Sequence, residues 1–318
     1  MQDKNKMKLG EYRGLKIKKN QIEVDDNEIN KSLDYLKESR AKTITVNRPA
    51  QKNDRIEIDF EVKQGGVKIE NGESKNHPLI LGQGRFLSGF EDNLEGMSAG
   101  EGKSFSLKVP SDWPDKRIVG KNLDFKVRMK LVQKRELSDI NDEFAKSLGK
   151  FESLEELKNS IKGGIIQEKE IKEKQRMRIE LIEKAADESE VEISAELIEQ
   201  EKENMLNELK ANIIGLGLDF ERYLEEIKKT IGEIKKEWQE QAEKRVKIGL
   251  CLNAIAEKEN IQISDEEAES RMNEDLKRYE NIKDIKKDVD PIKFREYYKN
   301  ILKNEKVFEL LEREAKII

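Results

Sequence analysis

Between residues 47 and 133, apolar and polar side chains alternate with a period of two. Over residues 55–62 the apolar positions Ile56, Ile58, Phe60 and Val62 share one face, and residues 104–109 and 123–132 repeat the pattern. Such alternation predicts half-buried antiparallel strands. Four of the five prolines and ten of the nineteen glycines fall in the same stretch. Helix interiors tolerate neither residue well, whereas turns between short strands use both. A compact, β-rich module is therefore expected over 47–133.

The flanks change period. Residues 10–24 predict an extended arm around Leu15–Ile17, after which Asp25 or Asp26 caps a helix to about Arg40 with Ile29, Leu33 and Leu36 on one face. Beyond residue 134 the spacing is helical almost throughout, predicting helices at about 153–188, 194–213, 218–259, 264–280 and 291–315. Ser153-Leu-Glu-Glu156 and Ser264-Asp-Glu-Glu267 read as capping boxes and Ser194 as an N-cap. Gly215-Leu-Gly217 and Asp290-Pro291 read as breaks. The apolar stripes are narrow, as in helical arms rather than core helices. The fold class is therefore α+β: an antiparallel sheet module at 47–133, inserted between residues 1–46 (a linker and the first part of a helical domain) and residues 134–318, with the outer segments forming one elongated all-α domain.

Composition sharpens this picture. Charged residues make up 41% of the chain and hydrophobic residues 35%, which fits helices exposed over much of their surface. The net charge is only −5, with both signs interleaved, so nucleic acid is a poor partner. No run reaches the roughly 18 apolar residues of a membrane helix, and the start lacks the apolar stretch of a signal peptide. One cysteine cannot form an internal disulfide, which points to a cytoplasmic location.

The inventory of reactive groups excludes much chemistry. The single histidine, His77, precedes Pro78 and reads as an exposed loop residue, and without cysteine neighbours it makes no zinc site. Cys251 sits on an apolar helical face and reads as a buried structural thiol. The loop Leu81-Gly-Gln-Gly-Arg-Phe86 lacks both GxGxxG and a Gly-Lys-Ser/Thr ending, so it reads as a tight turn at the lip of a pocket rather than a phosphate loop. No metal and no cofactor are expected.

Chemistry that needs no titrating group is left. Rotation about an X-Pro amide faces a barrier of about 18–20 kcal/mol, because the transition state loses amide resonance. A dry apolar seat for the proline ring and one or two N–H donors for the twisted peptide would lower it, each ~1.4 kcal/mol of preferential binding giving about tenfold.

At this point the segment Gly82-Gln-Gly-Arg-Phe-Leu-Ser-Gly-Phe-Glu-Asp-Asn-Leu-Glu-Gly-Met-Ser-Ala-Gly-Glu101 closely resembles the central segment of the FKBP-type prolyl isomerases, and more narrowly the version in the trigger factor family. Asp54-Arg-Ile-Glu-Ile-Asp-Phe60 is similar to that family's first core strand and Glu11-Tyr-Arg-Gly-Leu-Lys-Ile17 to its linker. Arg135-Glu-Leu-Ser-Asp-Ile-Asn-Asp-Glu-Phe-Ala-Lys-Ser-Leu-Gly149 is similar to the entry to its helical domain. The resemblance spans essentially the whole chain and implies an FKBP-like fold for 47–133. It implies that Phe60, Leu87, Phe90, Trp113 and Phe125 line a proline pocket, with Phe90 as floor and the Leu87 N–H as donor. Ile69 and Arg85 are expected to contact substrate beside it. On the helical arms, Ile213 and Leu216 are expected to contact exposed apolar segments, together with Ile214 and Leu218.

The implied activity is an ATP-independent chaperone with prolyl isomerase activity, whose partners are unfolded or nascent polypeptides. Nothing in the sequence matches the family's ribosome-docking Gly-Phe-Arg-x-Gly-Lys signature, so docking through that motif is not expected. An alternative reading is a holdase or interaction protein whose module has little or no catalysis. A parvulin-based factor is disfavoured because such sites use paired histidines.

Ile69 stands where the family usually has an aromatic residue, Trp113 where it has tyrosine, and Ser88 where it has proline. Each lost aromatic pair is worth about 0.5–1.5 kcal/mol. Prolyl isomerisation of a short peptide is therefore expected to be slower than for a member carrying the usual residues. A full-strength rate in a peptide assay would contradict this.

Overall fold

The computed structural model describes residues 7–113, 118–277 and 291–318. In chain order the described elements are β1 (Lys16–Ile17), α1 (Asp26–Ser39), β2 (Lys42–Thr45), β3 (Arg55–Gln64), β4 (Val67–Ile80), α2 (Phe90–Leu94), β5 (Gly102–Lys108), β6 (Asn122–Glu136), α3 (Asp142–Leu148), α4 (Leu154–Asp187), α5 (Ala195–Gly215), α6 (Phe220–Ile227), α7 (Ile231–Glu237), α8 (Gln239–Lys258), α9 (Asp265–Leu276), α10 (Pro291–Glu314) and β7 (Lys316–Ile317). They form two compact units, one over Val24–Ile165 and one joining the residues up to Glu23 with Ile166–Ile318. The end of the expected 264–280 helix, the break at Asp290 and the turn residue Pro114 lie outside the described residues.

The Val24–Ile165 unit is built on a five-stranded antiparallel sheet. β6 is its spine, with β3 and then β4 on one side and β5 and β2 on the other. The alternation seen in the sequence becomes the core face: Ile56, Ile58 and Val62 of β3 and Leu123, Phe125, Val127 and Met129 of β6 are buried. Along β6 the alternation then slips. Glu57 pairs with Leu131 but Ile58 with Met129, so Lys130 is an extra residue. A bulge of this kind shifts the side-chain alternation by one place. Val132 rather than Leu131 is fully buried as a result.

The short helix α2 lies over this face with Phe90 and Leu94 fully buried. A separate apolar cluster joins Ile29 and Leu33 of α1 to Phe144, Ala145 and Leu157. Asp25 caps α1 as the sequence predicts: its carboxylate accepts the Glu28 N–H at 2.8 Å and the Glu28 carboxylate accepts the Asp25 N–H at 3.2 Å. β2 was not anticipated. All four of its residues are exposed, so it carries no hydrophobic alternation to read.

In the helical unit, β1 pairs in parallel with β7, joining the start of the chain to its end. Tyr12 and Ile17 pack with Leu181 and Ala185 of α4, Cys251 and Ile255 of α8, and Val307 and Leu311 of α10. Burial pushes the Cys251 thiol up to about 11, so it stays protonated at neutral pH, as a structural thiol should. α5 runs against α8 around Ile198, Met205 and Ala242. Among the described residues, no helix is long and apolar enough to cross a membrane.

Two expectations need correction. The helix anticipated at 218–259 is three helices: Lys228 takes a left-handed conformation (φ 53°) and Thr230 starts a new helix with a reciprocal capping box to Glu233, and Trp238 (φ −82°, ψ 3°) then separates α7 from α8. Thr230-Ile-Gly-Glu233 carries that signal in plain sequence. At Ser153 the capping box is only half formed. Ser153 Oγ accepts the Glu156 N–H at 3.2 Å, but the Glu156 carboxylate accepts from the Glu152 N–H at 2.7 Å.

The linker is held to α4 by Glu173, whose carboxylate accepts the Asn20 N–H at 2.7 Å, Asn20 Nδ2 at 3.0 Å and two Arg176 nitrogens at 2.8–2.9 Å. Arg176 first, then the Asn20 N–H, lower its carboxyl from the ordinary 4.5 to about 2. A depressed carboxylate stabilises the fold fully above its unfolded pKa, and that contribution is lost as pH falls. Wild type should therefore lose stability between pH 4.5 and about 2 more steeply than Glu173→Gln, read from urea midpoints. Parallel profiles would contradict this.

Candidate functional site

Phe60 on β3 and Phe125 on β6 stand on the core face because strand alternation puts them there, and Phe90 opens α2 directly above. The rings are in contact. Phe90 lies 6.4 Å from Phe60, 5.2 Å from Phe125 and 5.6 Å from Phe105, and Phe105 stacks on Phe125 at 5.4 Å. Offset and edge-to-face pairs of this kind add about 0.5–1.5 kcal/mol each beyond area burial. Leu87 is buried in the same core, and Ile69 and Trp113 pack against it half-buried. Arg85 is exposed.

Two rings that sequence reasoning left out belong to the cluster. Phe86 stacks on Phe90 with centroids 4.4 Å apart and planes 13° from parallel. His77 is not the exposed loop residue expected. It lies in β4 directly opposite Ile58, and paired residues across antiparallel strands share a face. Its half-buried imidazole meets Phe60 and Phe86 edge-on, each at 5.4 Å. Pro78 had argued for a loop, but β4 is an edge strand, where a missing N–H costs no ladder bond. The overlooked signal lay on one side only: Leu79 and Leu81, both buried, follow His77 at a period of two, whereas the residues before it are polar.

The loop before α2 is organised by one carboxylate. Glu91 accepts the N–H groups of Gly82 (2.6 Å), Gly84 (3.2 Å) and Arg85 (2.9 Å). Gly82 and Gly84 have φ of +90° and +65°, the left-handed region that glycine enters without strain. A concave set of N–H groups like this is what a phosphate-binding turn would offer. Here the protein's own anion occupies it, which agrees with reading the glycines as a turn. Further along, no group among the described residues accepts from the Leu87 N–H.

The helical candidates separate. Leu216 (74% exposed), Ile214 and Leu218 stand in solvent where α5 ends and α6 begins. Ile213 is buried against Leu206 and Phe220. Cys251, Leu252 and Ile255 of α8 are likewise interior packing.

Two family models match: the C-terminus of bacterial trigger factor over residues 153–312, and the FKBP-type peptidyl-prolyl cis-trans isomerase over 46–130. The trigger factor of Caldicellulosiruptor saccharolyticus is 37% identical over 85% of this chain and 62% of its own length. That of Carboxydothermus hydrogenoformans is 38% identical over 89% of this chain and 67% of its own. For Caldicellulosiruptor bescii the figures are 34%, 99% and 72%. The chain thus spans roughly two thirds of the length of these curated relatives. A solved structure of the trigger factor chaperone, described for promiscuous substrate recognition in folding and assembly, superposes with a TM-score of 0.55 at 22% identity, over 98% of this chain and 73% of that one.

Hydrogen bonds to a charged acceptor are worth about 1.5–3 kcal/mol each. Removing the acceptor in Glu91→Ala should accelerate amide exchange at Gly82, Gly84 and Arg85 by at least about tenfold. Exchange along β6 should be unaffected. Unchanged protection at the three loop amides would show that the carboxylate does not hold the loop.

Proposed function

The chain belongs to the bacterial trigger factor family, and on that premise we propose that it is a nucleotide-independent chaperone that holds unfolded or nascent polypeptides and isomerises their X-Pro bonds. The observation that carries the enzymatic half is the ring cluster centred on Phe90, beside a Leu87 N–H without an acceptor among the described residues. In this reading Phe90 is the floor of the prolyl seat and Phe60, Phe125 and Trp113 are its walls. Leu87 contributes apolar wall and N–H, and Ile69 and Arg85 meet the flanking residues of the client. An apolar surround favours the twisted amide, which has lost its conjugated polarity, and the free N–H takes up a carbonyl of the rotated peptide. The module at 47–133 is read as the isomerase domain, inserted in sequence between 1–46 and 134–318.

The holding half rests on the helical unit. Leu216, exposed with Ile214 and Leu218, supplies apolar contact for an unfolded segment, and Ile213 shapes that tip from inside. Binding of this kind needs no nucleotide, because weak apolar contacts release spontaneously. The proposed location is the cytoplasm, where the buried Cys251 thiol stays reduced.

A second reading, a holdase with a silent module, is favoured by Ile69 in place of an aromatic wall. Phe90→Leu separates the two while preserving apolar volume. The proposal expects at least about a tenfold fall in proline-peptide isomerisation and in proline-limited refolding, with suppression of aggregation retained. If isomerisation is unmoved by the substitution, the Phe90 seat is not used.

A further inference from the structure

Phe90 is 0% exposed, so the surface on which a prolyl ring would lie is already covered. Three rings lie nearest to it. Phe105 and Phe125 belong to β5 and β6, whose ladder hydrogen bonds fix them. Phe86 is carried by the loop before α2 and lies nearly parallel to Phe90, 4.4 Å away. Phe60 (5.7 Å, 90°) and His77 (5.4 Å, 86°) close its edges.

We propose that Phe86 is a built-in plug: its ring occupies the prolyl seat on Phe90 in the resting protein, and a client proline enters only when that ring rotates out. The inference rests on the reading of Phe90 as the seat. Phe125 is buried in the sheet core and Phe105 is stacked on it, whereas Phe86 is half-buried on the loop side and stacks on Phe90. The Phe86 backbone is not free to follow, because the Glu91 carboxylate pins the N–H groups of Gly82, Gly84 and Arg85 immediately before it. Opening is therefore a side-chain rotation over a fixed lip, and the lip with the Leu87 N–H stays in place for the client. A seat that is filled most of the time lowers apparent affinity by the fraction of molecules in which it is open. Clients held at high local concentration on the same chain would outcompete the plug, whereas dilute prolyl peptides would meet a closed site. The plug thus selects for clients already captured.

The test is the full chain with a proline-containing tetrapeptide, measuring kcat and KM separately for wild type, Phe86→Ala, Phe86→Leu and Phe90→Leu. Breaking one stacked ring pair corresponds to about a 2- to 10-fold change in apparent affinity. Phe86→Ala should lower KM by that factor with kcat nearly unchanged. Phe86→Leu, which keeps apolar volume without a ring, should move KM the same way by less. A KM that rises or stays level in both Phe86 variants while Phe90→Leu loses turnover would overturn the plug and leave the seat standing. If Phe90→Leu keeps full turnover, the seat itself fails and the plug with it.

Discussion

The site depends on Phe60 and Phe125 standing on the same face of neighbouring strands beneath one aromatic ring, that of Phe90. Strand alternation makes this placement all-or-none, since a one-residue slip of β3 against β6 would carry Phe60 to the face opposite Phe125. The register is locked by Ile56 and Ile58, which are fully buried, and by the Lys130 bulge, which restores Val132 to the core after the slip in β6. Phe90 then packs over a strand face whose position is already determined. Glu91, the next residue, ties back the loop that leads in. One short segment, 82–91, therefore carries the proposed floor of the seat, its lip and the ring proposed to cover it.

The helical unit follows a different economy. Its core is a narrow seam around Ile17, Leu181, Cys251, Ile255, Val307 and Leu311. Much of its remaining surface is charged and paired along and between helices: Arg178 binds Glu312 and Glu305, and Arg245 binds Glu201 and Glu208. Arg178 is mostly buried between its partners, whereas the exposed pairs, such as those of Arg245, add little stability each. They do keep the helices hydrated, so that the few apolar side chains left in solvent, such as Ile214, Leu216 and Leu218, stand out against a polar background. The proposed holding function is served by such sparse apolar contacts.

Most of this was legible in the residues. Period-2 alternation gave the core face of β3 and β6, Asp25 and Ser264 gave helix starts, and the segment 82–101 pointed to Phe90. The misreadings share a physical cause: local signals were weighed without their partners. Pro78 looked like a loop because an edge strand cannot be told from an inner one without its neighbours. His77 was carried along with it. The break at Lys228 is a single left-handed residue inside a strongly helical pattern, where periodicity barely registers it. Phe86 was invisible for another reason: the residues show that two phenylalanines lie four apart, but only three dimensions show that one lies flat upon the other.

The central claim is that the face of Phe90 now covered by Phe86 is a seat for a prolyl ring. The most direct measurement is a nuclear Overhauser map of the full chain saturated with a proline-containing peptide, with the phenylalanine rings selectively labelled. Cross-peaks should join the proline ring protons to Phe90, Phe60 and Phe125, while the Phe86–Phe90 cross-peaks weaken. Proline cross-peaks confined to residues outside this ring cluster, with Phe86 still stacked on Phe90, would contradict the account.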